Sequence, residues 1–261
     1  MLMPSTAITM TPASSQKARQ ELEAKLHIWL LALLEVDGFK DWKNQQMIRQ
    51  LTLSMDPTAE IETTGDFNFD AEIVEQHHIV SGYYSLMTAL FAVREVKHYF
   101  QKYPFAGKSV SREAHLRTCC ELLFSRVYHF KTRMMNLLKR LDRKTKPRKT
   151  LPLAAYKKSF EDNFAPILQE RNALTHEASY SDEQISAFGV SDLLATTPEL
   201  AFLKTTPAAY RKIANQWAKK VDHVGDQLDL YVGFVALVIL ARCPFLTNLE
   251  GLKPEGGASP D

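Results

Sequence analysis

From Ala71 to Tyr103 the chain contains no proline and a single glycine, Gly82, and its apolar residues recur at three- and four-residue intervals. Residues 112 to 143 repeat the pattern with neither proline nor glycine. Runs of this length exceed an ordinary strand several-fold, and their period is that of a helix. At about 1.5 Å per residue, each helix would be longer than a small domain is wide, about 30 Å. Two such rods can bury their apolar stripes only by lying side by side. A helical bundle is therefore the expectation before any other segment is considered.

The remaining segments agree. "QKARQELEAKLHIWLLALLEV", 16 to 36, reads as a helix ended by Gly38. The polar, acidic stretch from Asp56 to Asp70 contains Pro57 and Gly65 and reads as a loop. Pro104 and Gly107 close the first long helix, and "KTKPRKTLP" closes the second. A further helical pattern covers 153 to 178, with Pro166 as a kink or restart. Short pieces fill 181 to 205, and Pro207 suits the first turn of a last long helix. No segment alternates with period two, and no internal repeat is evident. The expected fold is all-α, an antiparallel bundle of four to five long helices with short accessory helices. The expected division is a flexible tail at 1–15, an N-terminal helix and acidic loop as an embellishment at 16–70, the bundle at 71–243, and a C-terminal tail at 244–261.

Composition narrows the setting. The hydrophobic fraction is 45% and the charged fraction 24%, as in soluble globular chains. The N-terminal residues lack the basic start and apolar core of a signal peptide. "LYVGFVALVILA", 230 to 241, is too short to span a bilayer and reads as a buried core helix, so no membrane partner is expected. The cysteines Cys119, Cys120 and Cys243 have neither metal-ligand nor redox spacing. They read as buried thiols in a reducing compartment, and a cytoplasmic location follows. No HExxH, CxxC or glycine-rich phosphate loop is present, so no metal, no cofactor and no NTPase activity is expected.

The net charge of +2 matters less than its distribution. Between Lys131 and Lys158 the cations include Lys131, Arg133, Lys139, Arg140, Arg143, Lys144, Lys146, Arg148 and Lys149, and the only acid is Asp142. The balancing acids lie between Asp56 and Glu75. A local excess of this kind is a candidate phosphate-binding footprint, and a solvated helix end is the plainer account of the same charges. Lys139, Arg140, Arg143, Lys144, Lys146, Arg148 and Lys149 are the expected RNA contacts.

The basic run leads into "ERNALTHE", 170 to 177. At about 100° per residue, Phe160, Phe164, Ile167, Leu174 and Ala178 fall on one helical stripe, and Arg171 projects into it. A guanidinium in an apolar stripe needs a carboxylate, backbone carbonyls or a ligand anion. Asn172 and His176 lie on the flank, near each other. Imidazole can transfer protons near neutral pH, and a fixed guanidinium can hold the charge that builds on a phosphorane. Arg171, Asn172 and His176 could therefore serve RNA cleavage by 2′-OH attack without a metal. The other histidines carry weaker signals. His77–His78, Arg94 with His98, and His129 read as structural.

"RNALTH" resembles the RNxxxH form of the Arg-x4-6-His motif of the HEPN superfamily, and the helical architecture and late position of the motif are similar as well. The resemblance covers 71–243. It implies a metal-independent endoribonuclease, with Arg171 and His176 in the catalytic positions and Asn172 beside them. It implies a homodimer in which two motif helices meet, and a role as a toxin or defence factor with a cognate antitoxin or other protein partner. Some HEPN proteins have lost catalysis and bind RNA, nucleotide or protein. The motif alone does not separate these readings.

Overall fold

A computed structural model describes residues 10–61, 65–105, 110–144, 150–176, 180, 182–194 and 207–246. Among them are eight α-helices, one turn of 3₁₀ helix at Pro244–Leu246, and no strand. The helices are α1 (Pro12–Leu33), α2 (Phe39–Met55), α3 (Ala71–Gln101), α4 (Arg112–Lys144), α5 (Leu153–Asn163), α6 (Ala165–His176), α7 (Glu183–Leu194) and α8 (Pro207–Arg242). The long apolar runs become α3, α4 and α8, as their periodicity requires.

α3 lies at the centre because its apolar residues spread beyond one stripe. Tyr83, Leu86, Leu90, Val93, Val96 and Phe100 are fully buried, and they face helices on more than one side. Polar contacts fix the direction of each neighbour. Along α3, Glu75 meets Arg140, Ser85 meets Arg133, and Tyr99 meets His115, so α4 runs antiparallel to it. Arg94 meets Asp226 and Lys97 meets Asp222, so α8 is antiparallel as well. On α1, Arg19 shares Asp229 with Arg94, whereas Trp29 donates to Gln76 at 2.8 Å. α1 therefore also opposes α3, and it runs parallel to α8. The all-α bundle is present with one feature that periodicity cannot supply: of the four helices that form its centre, α1, α4 and α8 share a direction and α3 opposes them.

The first helix reaches into the residues read as a flexible tail. α1 begins at Pro12, because Thr11 and Ser14 form a reciprocal capping box and proline suits a first turn. Leu22, Leu26 and Trp29 are buried to within 1% and join a core cluster shared with α3 and α8. α1 ends at Leu33, short of the expected stop, and Gly38, with φ +72°, is the N-cap of α2, which the sequence reading left unassigned. The acidic stretch is pinned through Phe67 and Phe69, which pack on Phe39 and Trp42. Most of the C-terminal tail, residues 247–261, lies outside the described residues.

The apolar run at 230–241 is a core element, with Val232, Val235 and Ala236 fully buried. By length and composition α8 could cross a membrane, but 56% of its most apolar window is buried inside the protein.

One contact sets the spacing of α1 and α8. Ser15 is buried and its hydroxyl donates to the Asp229 carbonyl at 2.9 Å. Opposite it, a Cβ on Gly233 would fall 2.5 Å from the Ser15 Cα. The obstacle is backbone, so α1 as a whole would have to move. Gly233→Val is expected to cost about 2 kcal/mol or more, as overpacking in a close-packed core does. Urea denaturation of parent and variant measures it, and an unchanged midpoint would show that α1 is not seated on α8 in this way.

Candidate functional site

The segment bearing the Arg–His motif is built from two short helices. α5 ends at Asn163, and α6 restarts at Ala165 with Pro166 in its first turn, where a missing N–H is harmless. Phe160, Phe164 and Leu168 are buried, and Ile167 and Leu174 pack against the core. This stripe seats α6 against α4.

Arg171 is half-buried at the edge of the stripe. Its guanidinium carbon lies 3.9 Å from the centroid of the Tyr128 ring on α4. Its Nη1 donates to the Asn172 side-chain oxygen at 3.4 Å, and Asn172 is exposed. An aromatic face on α4 thus meets the guanidinium. Stacking holds the fork flat against α4. Tyr128 also has Lys131 at 5.8 Å, and Lys131 pairs with Glu161 at 2.6 Å. His176 is the last residue of α6, and its side chain lies outside the described residues.

Part of the basic run is described. Lys146, Arg148, Lys149 and the side chain of Lys144 lie outside the described residues. Lys139, Arg140 and Arg143 are on α4 itself, and they converge on a groove between α4 and α3 with a cavity of about 580 Å³. Arg133 and Asn136 of α4, and His78, Gly82 and Ser85 of α3, complete its lining together with Leu137. Every lining residue comes from α3 or α4. Arg171 and Asn172 therefore do not share this groove with the cations.

His78, Ser85 and Asn136 were not singled out from the sequence as members of a basic site. Their signal was present in two parts. His78, Gly82 and Ser85 are four and three residues apart, and Arg133, Asn136, Arg140 and Arg143 follow the same three-and-four spacing. Each set marks one helical face, but only packing shows that the faces oppose each other.

A second cleft of about 600 Å³ runs along the other side of α6, between α4 and α8. Buried Phe124, Phe164 and Trp217 form its floor, and exposed Glu170, Lys219 and His223 its rim. An aromatic floor beneath a polar rim is suited to a planar, partly polar group.

The thiols offer no nucleophile. Cys119 Sγ lies 3.7 Å from His115 Nε2, the spacing of a Cys–His pair. That nitrogen is also 2.9 Å from the Tyr99 carbonyl, an acceptor, and so carries its proton there. It cannot take the thiol's proton. Burial pushes the Cys119 thiol up to about 11 and Cys243 to about 12, and it raises Cys120 as well. No group of three or more His, Cys, Asp or Glu side chains able to hold a metal is found among the described residues.

No family model, curated protein or solved structure matches the chain.

The raised thiol values give a direct check. A thiol with its pKa near 11 is neutral at pH 8 and becomes the reactive thiolate only above its folded value. Alkylation of the native protein at pH 8 should leave all three cysteines unmodified over a time that labels them fully in denaturant. Rapid native labelling of Cys119 would contradict its burial.

Proposed function

We propose that the chain is an RNA-binding protein of HEPN type that cleaves RNA at the exposed edge of α6. The observation that carries the reading is the Arg171 guanidinium, stacked on Tyr128 with its hydrogen-bonding edge beside exposed Asn172. A held guanidinium can bind a phosphate and stabilise the charge of its transition state. His176, one turn and a little more along the same helix, supplies a group able to move protons near neutral pH. The 2′-OH attacks the adjacent phosphorus, the 5′-oxygen leaves, and the products carry a 2′,3′-cyclic phosphate and a 5′-OH. The grouping of Lys139, Arg140 and Arg143 in one groove supports binding of a polyanion.

One arginine and one histidine make a sparse site. A two-fold axis beside α6 would bring two such edges together, so a homodimer is part of the proposal. A cytoplasmic setting and a role as a toxin or defence factor, with a protein partner that restrains it, belong to the same reading.

The stacking contact also favours a second reading. A guanidinium packed on Tyr128 has a structural reason to be where it is. The protein would then bind RNA without cutting it.

Incubation of the purified protein with mixed RNA in EDTA, followed by end-group analysis, separates the two. Cleavage yielding cyclic phosphate ends is expected, and His176→Ala should slow it about a hundredfold or more while leaving RNA binding intact. Arg171→Ala should abolish cleavage and also lower stability by about 0.5–1 kcal/mol through loss of the ring contact. A folded His176→Ala protein that cuts as fast as the parent would sink the catalytic reading. Binding by every variant with cleavage by none would establish the non-catalytic one.

The dimer is tested separately. Sedimentation at tens of micromolar, roughly the range in which weak dimers form, should give twice the chain mass. A strict monomer there would remove the shared site.

A further inference from the structure

We propose that the groove between α3 and α4 is a discrete site for a terminal phosphate, the doubly charged end of an RNA strand or of a free nucleotide. The inference rests on the RNA reading for its natural ligand. Anion binding by the groove stands on the groove's own geometry.

Four cations line a single cavity of about 580 Å³: Arg133, Lys139, Arg140 and Arg143. They are distinguished by what holds them. Arg133 donates to the Ser85 carbonyl at 2.9 Å, which ties its guanidinium across to α3. Arg140 lies 3.6 Å from Glu75, so one carboxylate offsets one charge. Lys139 and Arg143 are exposed and have no carboxylate partner among the described residues. The groove therefore keeps a surplus of positive charge beside one arginine already fixed in place.

A plain account is that these cations complement the negative end of α4. A helix end carries only about half a unit charge, and its influence fades within the last turn. Arg133 lies three turns from that end, so the dipole does not account for it.

The helix packing builds the floor. A Cβ on Gly82 would lie 3.0 Å from Leu137 Cδ1, so glycine at this position lets α3 and α4 close on each other. His78 and Ser85 then stand one helical turn to either side of it and line the groove together with Arg133 and Asn136. The lining spans about 10 Å along α3, from His78 to Ser85, and about 15 Å along α4, from Arg133 to Arg143. That is room for a terminal nucleotide and its neighbour, far less than a duplex or a long single strand would occupy.

The shortness and the charge point to the same ligand. An internal phosphodiester carries one negative charge, whereas a terminal phosphate carries about 1.5 to 2 at neutral pH and exposes three acceptor oxygens. Arginine forks match those oxygens in pairs, and hydrogen bonds between charged partners are the stronger kind. Ser85 and Asn136 can add neutral contacts. A terminal phosphate satisfies more of this donor set than any single diester.

The test uses the full chain and a short single-stranded RNA with 2′-O-methyl riboses, which has no 2′-OH nucleophile and so survives any cleavage activity. Fluorescence anisotropy compares this strand with a 5′-phosphate and with a 5′-OH, and calorimetry measures ATP alone. The 5′-phosphorylated strand is expected to bind about tenfold tighter than its 5′-OH counterpart, the size of one charge-assisted contact. Lys139→Glu with Arg143→Glu should erase that difference. Both positions are exposed, so a thermal melt matching the parent will show that the fold is kept. If both strands bind equally, the terminal-phosphate site is wrong and the RNA reading survives. If ATP binds and neither strand does, the phosphate site stands with a free nucleotide as its ligand and the RNA reading falls. If ATP and both strands fail to bind, or if the double variant retains the tenfold preference, the inference is overturned.

Discussion

The burial of α3 on several sides at once is the constraint on which the rest of the structure depends. A helix with one apolar stripe needs one partner, but α3 presents Tyr83, Leu86, Leu90, Val93, Val96 and Phe100 to several. It must be enclosed, and α1, α4 and α8 enclose it. Those three can share a direction because the chain between α4 and α8 is long enough to return across the bundle, through α5, α6 and α7. The motif helix α6 is thus part of the connection that the topology requires. It lies over α4 because its own stripe of Phe164, Leu168 and Leu174 needs the same core.

Polar contacts between the long helices select their register. Asp229 receives both Arg19 and Arg94, and Asp226 and Asp222 follow it along α8 towards Arg94 and Lys97. These pairs are partly exposed, so each adds little to stability. Their value lies in register. A slip of one turn that set Val232 and Gly233 in the place of Asp229 would leave Arg19 without its carboxylate. The same economy operates at Gly82 and Gly233, where an absent Cβ permits close approach and so fixes which turns of two helices meet.

The two regions with functional promise differ in kind. At α6, one guanidinium is positioned by stacking on Tyr128. In the α3–α4 groove, several cations are concentrated and one of them is tied by a carbonyl. The first arrangement suits stabilising charge that develops at a reacting centre, and the second suits holding charge that is already present. Because the groove is lined by α3 and α4 alone, the two do not share a cavity, and in the proposed RNA reading they would act on different parts of one bound strand.

The helices α3, α4 and α8 were legible in the sequence because long uninterrupted periodicity has no other stable outcome in water. The buried thiols and the core role of residues 230–241 were legible for the same reason: apolar surroundings are written locally. α1's capping box was equally local, in Thr11, Pro12 and Ser14, yet a polar N-terminal stretch hid it. What only tertiary structure decided are the relations between distant faces. The sequence placed Arg171 in an apolar stripe, but the stripe's neighbour Tyr128 lies on another helix, so the guanidinium's aromatic partner could not be read from spacing. It displayed the basic run as one block, and packing joined Arg133, Arg140 and Arg143 of that block to His78 and Ser85 of α3. Periodicity records which residues share a face of their own helix. Which faces then meet is set by the shape of the whole core, and that depends on every helix at once.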